Sequence, residues 1–151
     1  MSEQRERLEF ASVTPSEHYV NFIETGGGVL FAAESDFRDG HTALKAETYP
    51  LAKWLKKNKP SIPIEIEPCD KTFSLNSNEY WIPLAFLAND VGLPLFVSAL
   101  YDYLKDKTRE MLSGESDKVH LHVIRKKGNS YQEITYDGPV EGLKELELRD
   151  K

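Results

Sequence analysis

The sequence predicts an α+β domain in which antiparallel β-hairpins pack on a central pair of apolar helices, with a β-hairpin and a helix at the C-terminal end. Three observations predict it. Residues 80–112, YWIPLAFLANDVGLPLFVSALYDYLKDKTREML, open as the most apolar run and close as an amphipathic, charge-laced segment. IPIEIEP and KVHLHVIR alternate apolar and polar residues with the period of a half-buried strand. Turn residues separate these elements, with no long linker, low-complexity tract or internal repeat. At 151 residues one domain is expected, with a strand-rich part and a loop over 1–46 and a helix–hairpin–helices–hairpin–helix order over 47–151.

In chain order, RLEFASV puts Leu8 and Phe10 on alternate positions and predicts a first strand. SEHYVNFIE sets Tyr19, Asn21 and Ile23 against Val20 and Phe22 and predicts another. Gly26, Gly27 and Gly28 then supply a tight turn into a strand that opens at Val29, so the region reads as a hairpin. The glycine triplet lacks the Gly-Lys-Ser/Thr ending of a P-loop and the spacing of a dinucleotide fingerprint. Residues 35–46 are polar and turn-rich. They predict a surface loop that gathers Asp36, Arg38, Asp39 and His41.

A helix follows, with Thr48 or Tyr49 as its cap and Pro50 as its first residue, where a missing N–H costs nothing. Leu51, Trp54 and Leu55 form its apolar stripe. Lys53, Lys56 and Lys57 lie elsewhere on its surface, the last two where positive charge suits the helix dipole. Ile62, Ile64 and Ile66 predict a strand that Pro63 places at a sheet edge, with KTFSL returning as its hairpin partner. Pro83 disfavours a helical Ile82, so a short helix is expected to start at Pro83 and stop before Gly92. A second helix over 94–111 places Phe96, Leu100, Tyr103 and Leu104 on one face, widened by Leu95 and Ala99, with Met111 beyond. SGESD (113–117) is a turn. In KVHLHVIR, Val119, Leu121 and Val123 face one way and His120, His122 and Ile124 the other. After a Lys-Lys-Gly-Asn turn, Tyr131, Glu133 and Thr135 oppose Ile134 and Tyr136. Asp137 then caps a last helix whose inner side is Val140, Leu143 and Leu146.

Composition narrows the function. A net charge of −6 argues against a nucleic-acid-binding role, which shows as a basic stripe. Cys69 is the one cysteine, so neither an intrachain disulfide nor a Cys-built metal site can form, and a reducing, cytoplasmic setting is expected. The opening MSEQRERLEF predicts no secretory peptide. The window from Trp81 to Leu100 is as long as a membrane span. Asp90, Asn89 and a Gly-Leu-Pro break favour a buried core over insertion, and membrane association through this window is the minor alternative.

No coherent catalytic set emerges and no cofactor is expected. No serine sits in a nucleophile elbow, and Glu65 and Glu67 share a strand face of the kind that meets water. His120 and His122, two apart on a strand, are the best metal candidates because both project from one face. His18, His41, Asp36, Asp39 or Glu133 could supply a further ligand. A small metal-dependent enzyme or metal-binding protein is therefore an alternative function, and plain cover for the solvent side of a hairpin is the simpler one. The leading expectation is a non-enzymatic interaction module, with a protein partner or a second copy of the chain meeting Trp81, Phe86, Asp90, Phe96, Tyr101 and Tyr103.

From residue 80 onward the order is a Gly-interrupted apolar segment, a charged helix end, VHLHVIR, a KKGN turn, SYQEITYDG and a short Leu-rich helix. PLAKWLKKN and IPIEIEP precede it. In this order the last two-thirds of the chain resembles the small effector-associated adaptor domains of bacterial conflict systems, antiphage or signalling. The likeness rests on pattern, with no invariant motif. It leaves out the residues up to about Ala46, and Pro83 and Pro94 depart from it. The resemblance implies a module that recruits or assembles partners, and it carries over no catalytic residue.

Overall fold

The computed structural model describes residues 7–35, 41–75, 79–109 and 118–149. The fold is mixed α+β, and its sheets are open rather than closed. The elements are β1 (Arg7–Val13), α1 (Glu17–Thr25), β2 (Val29–Ala32), β3 (Glu34–Ser35), β4 (Thr42–Lys45), α2 (Thr48–Asn58), β5 (Ile64–Ile66), β6 (Thr72–Phe73), β7 (Tyr80–Trp81), β8 (Leu84–Leu87), α3 (Leu93–Arg109), β9 (Lys118–Lys127), β10 (Ser130–Pro139) and, after a 3₁₀ turn at Val140–Gly142, α4 (Leu143–Arg149). The main sheet runs β1-β10-β9-β8-β2-β5, with β7 also paired to β9. A small sheet, β3-β4-β6, stands beside it.

Strand parity sorts the main sheet into two faces. Val29, Phe31, Ala85, Leu87, Leu121, Val123, Ile134 and Tyr136 point to the face covered by α2, α3 and α4, and they form the larger core with Leu51, Leu55, Phe96, Leu100, Leu143 and Leu146. Leu30, Ala32, Phe86 and Ile124 point to the other face, where Ile23, Tyr19 and Phe22 of α1 cover them. The expected hairpin β9–β10 forms, with Val123 opposite Ile134 and His122 opposite Thr135, and its turn is Gly128–Asn129. Phe96, Ala99, Leu100, Tyr103 and Leu104 of α3 and Val140, Leu143 and Leu146 at the C-terminal end are buried, as expected.

Several expectations are corrected. The stretch expected as a strand over 16–24 is helix α1, Glu17–Thr25. Tyr19, Phe22 and Ile23 sit at i, i+3 and i+4, and that stripe over Phe86 outweighs the alternation read from the same residues. The glycine triplet therefore joins a helix to a strand and closes no hairpin.

The short helix at Pro83 is strand β8, so the central element is a strand followed by one helix instead of a helix pair. β8 lies between β2 and β9, and both its faces are buried. An interior strand of this kind is apolar throughout and shows no alternation. The same break divides the 81–100 window, and no helix among the described residues is long and apolar enough to cross a membrane.

KTFSL does not return beside β5. Its strand β6 pairs in parallel with β4, while β5 pairs in parallel with β2. The loop expected over 35–46 contains β4. Asp36, Arg38, Asp39, Met111 and the SGESD turn lie outside the described residues. Finally, β10 continues through Asp137 to Pro139, so Asp137 is a strand residue and not a helix cap, and Leu95 is exposed instead of widening the stripe. α2 starts at Thr48 with Glu47 as its flanking residue, two residues earlier than Pro50 alone would place it.

Candidate functional site

The half of the sheet that α1 leaves uncovered is polar, and it gathers the histidines. Both ring nitrogens of His120 are held by carboxylates, Nδ1 by Asp137 Oδ1 and Nε2 by Glu79 Oε1, each at 2.6 Å. Carboxylates only accept, so every hydrogen bond here needs a proton on the ring or on the carboxyl. Parallel pairing of β7 with β9 sets Trp81 opposite His120, and the two rings stack at 3.6 Å with a 10° tilt. Asp137 also receives Arg7 at 3.5 Å, and Arg7 pairs with Glu9 along β1. The Arg7 guanidinium holds the Glu9 carboxyl below its usual range, through a hydrogen bond first and charge second. His122 Nε2 meets Glu133 across the hairpin. The result is an interlaced sheet surface whose imidazoles are already spoken for.

Among the described residues no group of three or more His, Cys, Asp or Glu side chains is arranged to hold a metal ion. His120 instead bridges two carboxylates, one on β10 and one just ahead of β7. Removing the His120 ring leaves Asp137 and Glu79 facing each other with the bridging donor gone. We expect His120→Ala to cost about 2 kcal/mol in urea denaturation and His122→Ala, at a wetter site, less than about 1 kcal/mol. Zinc calorimetry of the native chain is expected to show no saturable heat that these two substitutions remove.

Beside this network, β4, β6 and β7 enclose a cavity of about 220 Å³ lined by Lys45, Glu47, Phe73, Glu79 and Trp81. Its polar groups are also engaged. Lys45 Nζ donates to the Ile82 carbonyl at 3.1 Å and pairs with Glu34 at 3.2 Å, and Glu34 accepts the Leu84 N–H. Glu47 accepts the Tyr103 hydroxyl, and burial followed by that contact pushes the phenol well above its ordinary range.

The six residues expected to form an interaction surface do not come together as one. Phe86, Phe96 and Tyr103 are 2%, 1% and 1% exposed and belong to the core. Trp81 is half-buried against His120. Asp90 is exposed and accepts the Gly28 N–H at 3.0 Å, which ties the end of β8 to the glycine turn. Tyr101 lies at the α3–α4 junction, donating to Glu141 with Lys144 over its ring. His18 sits against Tyr19 on α1, and Tyr19 stacks on Phe86 at 4.1 Å while donating to Glu67. Burial and then Glu67 push the Tyr19 phenol up to about 12.

Compared with protein-family models, curated proteins and solved structures, the chain gives no match.

Two surfaces were given no role by the sequence. One is the outer edge of β1, which closes the main sheet with seven residues in unbroken register against β10. The signal was present in RLEFASV, which has neither proline nor glycine, but its edge position depends on long-range pairing. The other is the outward side of α2, where Lys53, Lys56 and Lys57 are exposed beside Tyr49.

Proposed function

We propose that the chain is a non-enzymatic interaction and assembly module that takes an added strand at β1. The observation that carries this reading is the contrast between the two ends of the sheet. At one end β5 is three residues long and follows Pro63, two of the devices by which proteins blunt an edge. At the other end β1 offers seven residues, and no described residue pairs with its outer side. Phe10 stands 39% exposed on it. An open edge of this length is the template for strand addition, in which main-chain hydrogen bonds give affinity and alternate side chains give selectivity.

The added strand comes from a second copy or a protein partner. The resemblance to adaptor domains of bacterial defence and signalling systems supports an assembly module, though it does not extend to β1. The alternative, a small metal-dependent enzyme on His120 and His122, has against it that carboxylates already hold both rings.

Light scattering and native mass spectrometry over a range of concentrations test the proposal. We expect association, and we expect Phe10→Lys, which puts a charge on the edge, to weaken it by about tenfold while the fold persists. A chain that stays a strict monomer and captures no strand-donating partner sinks this reading.

A further inference from the structure

Most described lysines near a carboxylate use it. Lys45 pairs with Glu34, Lys59 with Asp102, Lys105 with Glu141, Lys107 with Glu47 and Lys126 with Glu24. Lys53, Lys56 and Lys57 of α2 differ. Among the described residues none of them has a carboxylate within ion-pair distance. The nearby acids are committed elsewhere: Asp102 to Lys59, Asp106 to the Trp54 indole at 2.8 Å, and Glu47 to Tyr103 and Lys107. In a chain of net charge −6, three neighbouring cations with no ion-pair partner among the described residues form a local positive patch.

The ground beside them is apolar. Lys53 and Lys57, one turn apart, form a ridge between two hollows. One, of about 470 Å³, is floored by Ala52 and Ile66 with Tyr49 at its rim. The other, of about 290 Å³, is walled by Pro50, Trp54 and Tyr103. Tyr49 itself is 48% exposed.

We propose that this face of α2 docks an acidic segment of a partner protein, with its carboxylates on Lys53, Lys56 and Lys57 and its apolar side chains in the two flanking hollows. Charge complementarity names the acid. The hollows name a polypeptide over a nucleic acid, because a phosphodiester chain has nothing apolar to place beside each charge, and the acidic remainder of the chain repels a long polyanion. The site is separate from the β1 edge, and either reading can fail without the other.

Fluorescence anisotropy tests it with a short labelled peptide of Glu interspersed with Leu and Phe. The comparison probes are poly-Glu of equal charge and single-stranded DNA of equal charge. Saturable binding to the Glu/Leu/Phe peptide is expected, weaker in high salt. Poly-Glu and DNA are expected to bind about tenfold less tightly, since neither fills the hollows. The double variant Lys53→Glu/Lys57→Glu should weaken peptide binding by about tenfold or more. Lys71→Glu combined with Lys127→Glu makes the same change in net charge elsewhere on the surface and should leave binding unchanged. Circular dichroism confirms that both variants fold. Equal binding of poly-Glu, tighter binding of DNA, equal loss in the two double variants, or no saturable binding each overturns the proposal.

Discussion

Gly28→Ala is expected to destabilise the chain by about 4 kcal/mol or more, enough to leave it largely unfolded. Gly28 adopts φ +89°, where an L side chain is strained. A Cβ there would also lie 1.9 Å from the Pro63 carbonyl oxygen. That contact cannot relax cheaply, because the Pro63 carbonyl accepts the Val29 N–H at 2.9 Å and so begins the β2–β5 pairing. Gly28 is fixed on its other sides as well. Its N–H donates to Asp90 and its carbonyl accepts the Ala88 N–H. Moving the backbone to make room therefore disturbs β2 against both neighbours.

Gly128→Ala separates the two contributions. Gly128 has φ +65° but nothing within 4 Å of a new Cβ, so the substitution should cost only about 1–2 kcal/mol of backbone strain. Asp90→Ala, which removes one acceptor and keeps the glycine, should cost about 1 kcal/mol. Urea denaturation of the three variants gives the order directly. Similar losses at Gly28 and Gly128 would mean that the close approach to Pro63 does not constrain the turn.

What could be read from the sequence divides along the range of the interactions. The β9–β10 hairpin was legible because its pattern, turn and pairing all lie within twenty-two residues, from Lys118 to Pro139. The inner faces of α3 and α4 were legible because helical spacing decides them locally. β8 was not, because LAFL is equally at home in a buried helix or an interior strand, and only its neighbours β2 and β9, far away in sequence, select the strand. α1 was lost to a coincidence, since Tyr19, Val20, Phe22 and Ile23 satisfy both periods until Phe86 supplies something to cover.

The candidate site divides in the same way. The common face of His120 and His122 followed from strand parity. Their engagement by Glu79, Asp137 and Glu133 did not, because Glu79 arrives from β7's lead-in, forty-one positions away from His120. The lysines of α2 were visible as surface charge. That no described carboxylate pairs with them became apparent only in the fold, where Lys45, Lys59, Lys105, Lys107 and Lys126 each have one.

Phe96→Ala carries the second large effect. The sequence put Phe96 on the apolar stripe of the second helix and also among the residues that meet a partner; the fold places it at 1% exposure, inside the core between α3 and the sheet, tilted against Phe31 at 6.5 Å. Truncating a buried phenylalanine removes its transfer free energy and leaves a cavity, together worth about 3–5 kcal/mol. The adjacent Leu95 is 49% exposed, so Leu95→Ala should change stability by no more than about 0.5 kcal/mol. The pair is informative because the sequence put both neighbours on one apolar stripe and the fold buries only Phe96. If Phe96 were an interface residue, its truncation would spare the isolated chain and weaken only the capture of a partner. If it is core, the denaturation midpoint falls sharply whether or not a partner is present, and any loss of binding at the β1 edge or the α2 face tracks the unfolded fraction. A Phe96→Ala chain as stable as the native one, yet unable to bind, would return this side of α3 to the surface and remove the sheet–helix packing on which the placement of both proposed faces depends.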